Sequence, residues 1–328
     1  MRRFGKPFAG VLAITVALAV LAFTTTAFTT TAARADTGMQ RYKHLFVIYE
    51  ENHSLGQIQA NPNAPVLNQL ASTYGQATDY FGTSHPSEPN YVAPLGGWDY
   101  GITDDGPYQT HKLNAPSLAS QLEASGLSWK SYQQSLPFAG FTGNCYPCNA
   151  TDPSSLYASK HNGFLNFASV QDNPAEMRKT VPIEQLTTDL ASGTAPNFSF
   201  IVPDQCHDMH GTNDCPTDST NVKTADTYAG QLVTSIMSSR TWKVGQNAIV
   251  VTFDEGTDNG GCCDANPGGG QVYTTVITNH GPLGVRYGGP SNHYSLLLTV
   301  QQAFGLGCLQ FTCDSVNVKP MTPLFATE

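Results

Sequence analysis

Positive charge is scarce in this 328-residue chain, where 16 Lys and Arg stand against 25 Asp and Glu for a formal net charge of −9. So acidic a balance excludes partners held by bulk charge, and neither nucleic acid nor an anionic membrane face is expected. Long apolar runs are also missing beyond the N-terminal region. No later stretch reaches the roughly 18–20 clean apolar residues of a spanning helix, so no stable membrane anchor is expected. Internal repeats and low-complexity linkers are lacking too, which excludes an array of repeats. One CxxC is present, Cys145-x-x-Cys148, but no second CxxC or clustered His pair accompanies it. That argues against a zinc or redox centre.

The N-terminus does carry a pattern. Arg2, Arg3 and Lys6 precede an apolar stretch over residues 8–23, and Ala33-Arg34-Ala35 resembles a small-residue cleavage site. This predicts a signal peptide over 1–35, cut before Asp36, and a secreted protein, or a periplasmic one where the host has an outer membrane. Losing the leader's four basic residues leaves 12 Lys and Arg against 25 Asp and Glu, a formal charge of −13. All eight cysteines follow the leader and fall into four close pairs. Local disulfides are the simplest of about 105 possible pairings.

Residues 36–328 suffice for one large catalytic domain. Apolar, β-branched runs at 44–49 (HLFVIY), 197–202 (NFSFIV), 247–253 (NAIVVTF) and 272–278 (VYTTVIT) predict strands buried on both faces. Helical patterns lie between them at 65–74, 117–124, 183–191 and 226–240, and Ser291 reads as the N-cap of a last helix. Such alternation predicts an α/β fold, a doubly wound, mostly parallel sheet with helices on both faces. The Gly-, Pro- and Asn-rich stretch at about 132–173 reads as a loop-rich excursion.

Ligands of open α/β sheets bind beyond the carboxyl ends of the strands. There the sequence gathers Glu50, Glu51, Asn52 and His53 after the first run, Asp204, His207, Asp208 and His210 after the second, and Asp254-Glu255 after the third. The donors are mostly hard oxygens, which favour Mg, Ca or Mn and leave Zn possible. Two adjacent acids at a buried strand end repel each other, and a divalent cation removes that penalty. Ser87, between Pro86 and Pro89, is a candidate nucleophile, although the same string equally suits a capped turn leading into a helix.

Taken together, HLFVIYEENHS (44–54), TSHPSEPNY (83–91), VTFDEG (251–256) and the looser VPDQCHDMHG (202–211) resemble the bacterial and fungal phosphoesterase family of acid phosphatases and non-haemolytic phospholipases C. That family is related to the alkaline phosphatase superfamily. The resemblance implies an alkaline phosphatase-like fold, with a divalent metal on Glu51, Asn52, Asp254 and Glu255. Ser87 would be metal ligand and nucleophile at once, passing through a phosphoserine intermediate. His207, Asp208 and His210 would bind phosphate oxygens or protonate the leaving group, with His210 preferred as the acid. His85 and His293 are further candidates for phosphate contact, His293 because it would lie in the first turn of the last helix.

Two departures bear on function. The family's Gly-Asp-x-Trp-Leu segment appears here as Ala225-Asp226-Thr227-Tyr228, leaving Asp226 either an N-cap or a site residue. The long C-terminal extension of the larger phospholipase members has no counterpart after Cys313, which favours a phosphatase-like catalytic domain. The expected function is therefore hydrolysis of phosphate monoesters, with a small phosphorylated substrate or a phospholipid headgroup as partner. A phospholipase C-type phosphodiesterase is the alternative, its apolar rim drawn from Tyr80, Phe81, Tyr91, Phe138 and Phe141. A non-catalytic extracellular binding protein on the same fold is a third reading.

Overall fold

The computed structural model describes residues 38–148, 155–212, 215 and 219–325, together with residues 1, 2 and 5. Apart from those last three, the expected leader lies outside the described residues. The chain divides into two compact units, Met1–Ala35 and Asp36–Glu328, and every element below belongs to the second.

Eight strands form the central sheet: β1 (His44–Glu50), β2 (Gly75–Ala77), β3 (Trp129–Gln133), β4 (Thr180–Pro182), β5 (Phe198–Val202), β6 (Asn247–Phe253), β7 (Thr274–Thr278) and β8 (Val285–Tyr287). Their order across the sheet is β8-β2-β7-β6-β1-β5-β3-β4. All pairings are parallel except the two that β7 makes, so β7 alone runs against the rest. A mostly parallel sheet has to be covered on both faces, and every residue of β1, β5 and β6 is buried accordingly.

The main helices are α1 (Pro65–Thr73), α2 (Ser87–Gly96), α3 (Leu118–Ala124), α4 (Glu184–Ser192), α5 (Ser219–Ser238) and α6 (His293–Phe304). Ser291 does not cap α6. Its backbone pairs with Tyr80 in a two-residue strand, and Asn292 caps instead, accepting from Tyr294 N at 3.0 Å and Ser295 N at 3.2 Å. Both residue types make good caps, and strand pairing decides between them. Asp226 lies inside α5, where its carboxylate caps a different helix: it accepts from Val66 N at 3.0 Å and Leu67 N at 2.8 Å, at the start of α1.

The stretch at 132–173 is less loop-like than its composition predicts. It begins on β3, carries a short pairing of Cys145–Tyr146 with Tyr157–Ala158, and holds 3-10 turns at Ser159–His161 and Gly163–Asn166. Gly163 is indispensable there, because a Cβ would lie 2.2 Å from the carbonyl oxygen of Tyr91 in α2. The four disulfides are all local: Cys145–Cys148, Cys206–Cys215, Cys262–Cys263 and Cys308–Cys313.

Candidate active site

Neighbouring strands β6 and β1 run parallel and in register, Glu50 opposite Phe253, so both chains leave the sheet side by side. Beyond these ends the ladder continues by one bond, Asp254 N to Glu50 O at 3.0 Å. The turn after β1 uses Asn52 at φ 48, a left-handed conformation that Asn tolerates better than most residues. Its backbone N–H donates to Asp254 Oδ1 at 2.9 Å. Two separate strands thereby bring Glu51, Asp254 and Glu255 to one place.

Ser87 arrives from the other side. It opens α2 directly after Pro86, as the turn-into-helix reading of its string expects. The approach loop is organised by the buried Asn90, whose Oδ1 accepts from Thr83 N (2.8 Å) and Ser84 N (3.1 Å) while its Nδ2 donates to Ser84 O (2.8 Å). The Ser87 hydroxyl is buried, with Glu51 Oε2 at 3.2 Å and Glu255 Oε1 at 3.4 Å as acceptors for its single proton. Gly82 packs so closely behind that a Cβ would lie 2.7 Å from Asp254 O and 3.1 Å from Glu255 Cα. His85 is half-buried, its Nδ1 paired with Glu255 and its Nε2 2.9 Å from Asp258 O. The Glu255 bond raises the His85 pKa, which favours the charged imidazolium.

The loop after β5 supplies the next group. Glu51 N donates to Asp208 O at 2.7 Å, which ties the two strand ends together. Asp208 is fully buried and His210 is exposed, and between them Met209 adopts φ 79, a strained backbone for a non-glycine residue. His207 is drawn elsewhere: its Nδ1 lies 2.7 Å from Asp204 Oδ1, and its ring packs against Tyr228. His293 is wholly enclosed. Tyr80 holds its Nδ1 at 3.0 Å, while its Nε2 lies 3.0 Å from the Tyr49 hydroxyl and 2.6 Å from Asp254 O. Burial lowers its pKa to about 4, so it braces the Asp254 backbone as a neutral ring.

Sequence reasoning missed His161 and Lys160. The only signal was their bare presence in a Gly- and Asn-rich stretch without periodicity. His161 is buried, stacked on Tyr91 with ring centroids 4.9 Å apart, and its Nε2 lies 3.0 Å from Glu51 Oε1. Burial lowers its pKa well below the usual histidine range, and the charges of Lys160 and His210 act the same way. Its centroid lies 6.1 Å from that of His210, so the β5 loop and the excursion meet here. Two cavities adjoin His210. One, of about 660 Å³, is lined by His53, Gln57, Asn61 and Asn221; the other, of about 430 Å³, by Asp105, Asn144, Lys160 and Gln205.

Electrostatics mark these acids as a strained set. Burial first, and then the charge of Glu51, raises the pKa values of Asp208 and Asp254 well above the carboxylate range. Burial also raises that of Glu51. Carboxylates buried beside a hydroxyl are the donor chemistry of a hard divalent cation, which would relieve their repulsion. Among the described residues, no group of three or more His, Cys, Asp or Glu side chains yet stands where it could hold an ion. The donors fit in kind.

Comparison with known proteins bears on the family and the fold. The model of the Phosphoesterase family matches residues 50–307. A phosphatidylinositol-3-phosphatase from Mycobacterium tuberculosis is 28% identical over 295 residues, covering 89% of this chain and 85% of the relative. A phosphate-repressible acid phosphatase from Penicillium chrysogenum is 29% identical over 76% of this chain, which spans only 59% of that relative. Among solved structures, an alkaline phosphatase superfamily protein from Vibrio parahaemolyticus superimposes with a TM-score of 0.52 at 13% identity, over 88% of this chain and 70% of its own. That likeness concerns the fold alone.

Proposed function

Because the chain belongs to the Phosphoesterase family and is a hydrolase of phosphoester bonds, we propose that it is a secreted, metal-dependent phosphomonoesterase with Ser87 as nucleophile. The observation that carries the reading is the buried Ser87 hydroxyl at the start of α2, within reach of Glu51 and Glu255. An N-terminal helix turn favours an anion, and a carboxylate acceptor is what a weak hydroxyl nucleophile needs.

In the first step Ser87 Oγ attacks phosphorus in line and its proton passes to Glu51 or Glu255. The bond to the leaving oxygen breaks, and His210, exposed at the meeting of the two cavities, supplies the proton that oxygen takes up. Water then attacks the phosphoserine from the opposite side and gives up a proton to the now neutral His210; the P–O bond to Ser87 breaks, the carboxylic acid returns its proton to Ser87 Oγ, and phosphate leaves. Glu51, Asn52, Ser87, Asp254 and Glu255 would hold the cation, with Ca, Mg or Mn favoured and Zn possible. When bound it lowers the hydroxyl pKa and neutralises charge on the phosphoryl oxygens. The 660 Å³ cavity, lined by histidines and carboxamides, suits a polar leaving group.

The apolar rim of the phospholipase reading loses two members, since Tyr80 and Tyr91 are core residues with no exposure. A phosphoinositide headgroup is itself a phosphomonoester, and the name of the mycobacterial relative makes it a substrate to try. Secretion is supported by the four disulfides; among the described residues no helix is long and apolar enough to cross a membrane. The direct test incubates residues 36–328 with divalent cations and either p-nitrophenyl phosphate or phosphatidylinositol 3-phosphate, alongside Ser87→Ala. Undiminished turnover by the variant would remove this mechanism.

A further inference from the structure

We propose that Lys160 is a phosphate-binding cation of this site, additional to the divalent metal, and that it reaches a non-bridging oxygen of the phosphoryl group from the cavity that it shares with His210. The inference rests on the phosphatase reading and states how that site holds its anion.

The placement of Lys160 is unusual for a lysine in a Gly-rich excursion. Its Nζ lies 2.9 Å from Asp105 Oδ2, and the other oxygen of that carboxylate accepts from Glu88 N at 3.0 Å. Glu88 directly follows Ser87, so one carboxylate tethers the lysine to the first turn of the nucleophile's helix. The next residue, His161, lies 3.0 Å from Glu51, which itself accepts from Ser87. Residues 160 and 161 therefore brace the nucleophile from two sides, through Asp105 and through Glu51. The lysine side chain is 20% exposed and lines the 430 Å³ cavity together with His210, so a ligand there can meet both.

Charge supplies the physical need. A phosphoryl group approaching Ser87 comes among the buried carboxylates of Glu51, Asp208, Asp254 and Glu255. Repulsion between like charges is strong where water is excluded, and a cation has to offset it. A lysine ammonium is an established binder of phosphate as a point charge. It has three donors, of which the Asp105 bond uses one. Burial works against its charge, but the attraction of Glu51 and Asp105 outweighs that and raises its pKa. A purely structural ion pair would leave anion binding unaffected by its loss.

The test titrates the full protein with inorganic phosphate by calorimetry and measures inhibition of p-nitrophenyl phosphate hydrolysis by the same ion. Lys160→Met is expected to weaken phosphate binding at least about tenfold and to lower kcat/KM about 10²-fold, with Lys160→Arg recovering most of both. A folded Lys160→Met protein that binds phosphate within about twofold of wild type overturns the proposal, as does a wild type that binds none. If Lys160→Met does not fold, Asp105→Asn decides: it keeps the ammonium but loosens its tether, and unchanged phosphate affinity there overturns the proposal equally. Lys160-dependent phosphate binding without ester hydrolysis would remove the phosphatase reading and leave this inference standing. Hydrolysis with Lys160-independent phosphate binding would remove this inference alone.

Discussion

Glu51, Ser87, Asp254 and Glu255 sit at buried strand ends and on the first turn of a helix, whereas His207 and His210 sit on a disulfide-linked loop beyond β5 that reaches solvent. The first group is fixed by the same hydrogen bonds that build the sheet, down to Asn52 N on Asp254 and Asp254 N on Glu50. Its position needs no ligand, and the consequence is like charge enclosed in a low dielectric. The second group lies nearer solvent, with His210 exposed. A phosphoryl-transfer site needs both kinds of support: a rigid nucleophile and a proton donor open to the leaving group.

The sharpest way to break this comparison is Ser87→Ala. If the buried half carries the chemistry, the substitution lowers kcat for p-nitrophenyl phosphate by at least about 10³-fold and leaves the circular dichroism spectrum unchanged. Chelation comes next in size. Dialysis against EDTA is expected to remove at least about 10²-fold of the rate, and added Mg, Mn, Ca or Zn to restore it in an order that identifies the ion. Full activity after exhaustive chelation would refute the metal reading and leave the carboxylates to act as bases alone.

Within the open half the two histidines should separate. His210→Gln is expected to lower kcat about 10²-fold and flatten the limb of the pH profile that depends on an acid. His207→Gln should change kcat by less than about threefold, because its ring is spent on Asp204 and Tyr228. Equal losses in the two variants would mean that the loop acts as a unit.

Legibility divides along the same line. The buried strands β1, β5 and β6 were readable as continuous apolar runs, since burial on both faces writes hydrophobicity at every position. β2, β4 and β8 were not, because three residues each are too short for a pattern and exist only through their neighbours' register. Glu51, Asp254 and Glu255 were visible as acids placed directly after such runs. Ser87 gained weight only from the company of its motif. Lys160 and His161 had no local signature, because contacts made across long separations in sequence, to Asp105 and Glu51, give them their place.

The strain in the buried half has a signature in stability. Glu50, Asp208 and Asp254 all have pKa values raised in the folded state, first by burial and then by one another's charge or that of their neighbours. A carboxyl whose folded pKa is raised holds its proton more tightly when folded, so folding is favoured at low pH and disfavoured as pH rises through and above the ordinary carboxylate range. Metal-free protein is therefore expected to melt at progressively lower temperature from about pH 4 toward neutrality, and Asp208→Asn to flatten that slope. Saturating divalent cation should abolish the slope for the residues that it touches. A metal-free protein whose melting temperature climbs over this interval would show that these acids are not strained.

Asp226 supplies the smallest effect and a control, since its carboxylate is bonded to the start of α1. Its carboxylate accepts from Val66 N and Leu67 N, at the end of α1 where no preceding turn can. Ala64, the residue in the cap position, has no side-chain acceptor of its own, so α1 depends on α5 for this service. Asp226→Ala should cost about 1 kcal/mol in denaturant unfolding, while kcat and KM stay within about twofold of wild type. A large loss of kcat with unchanged stability would move Asp226 into the site. It would also mean that the family segment altered here to Ala225-Asp226-Thr227-Tyr228 still carries chemistry and not helix capping alone.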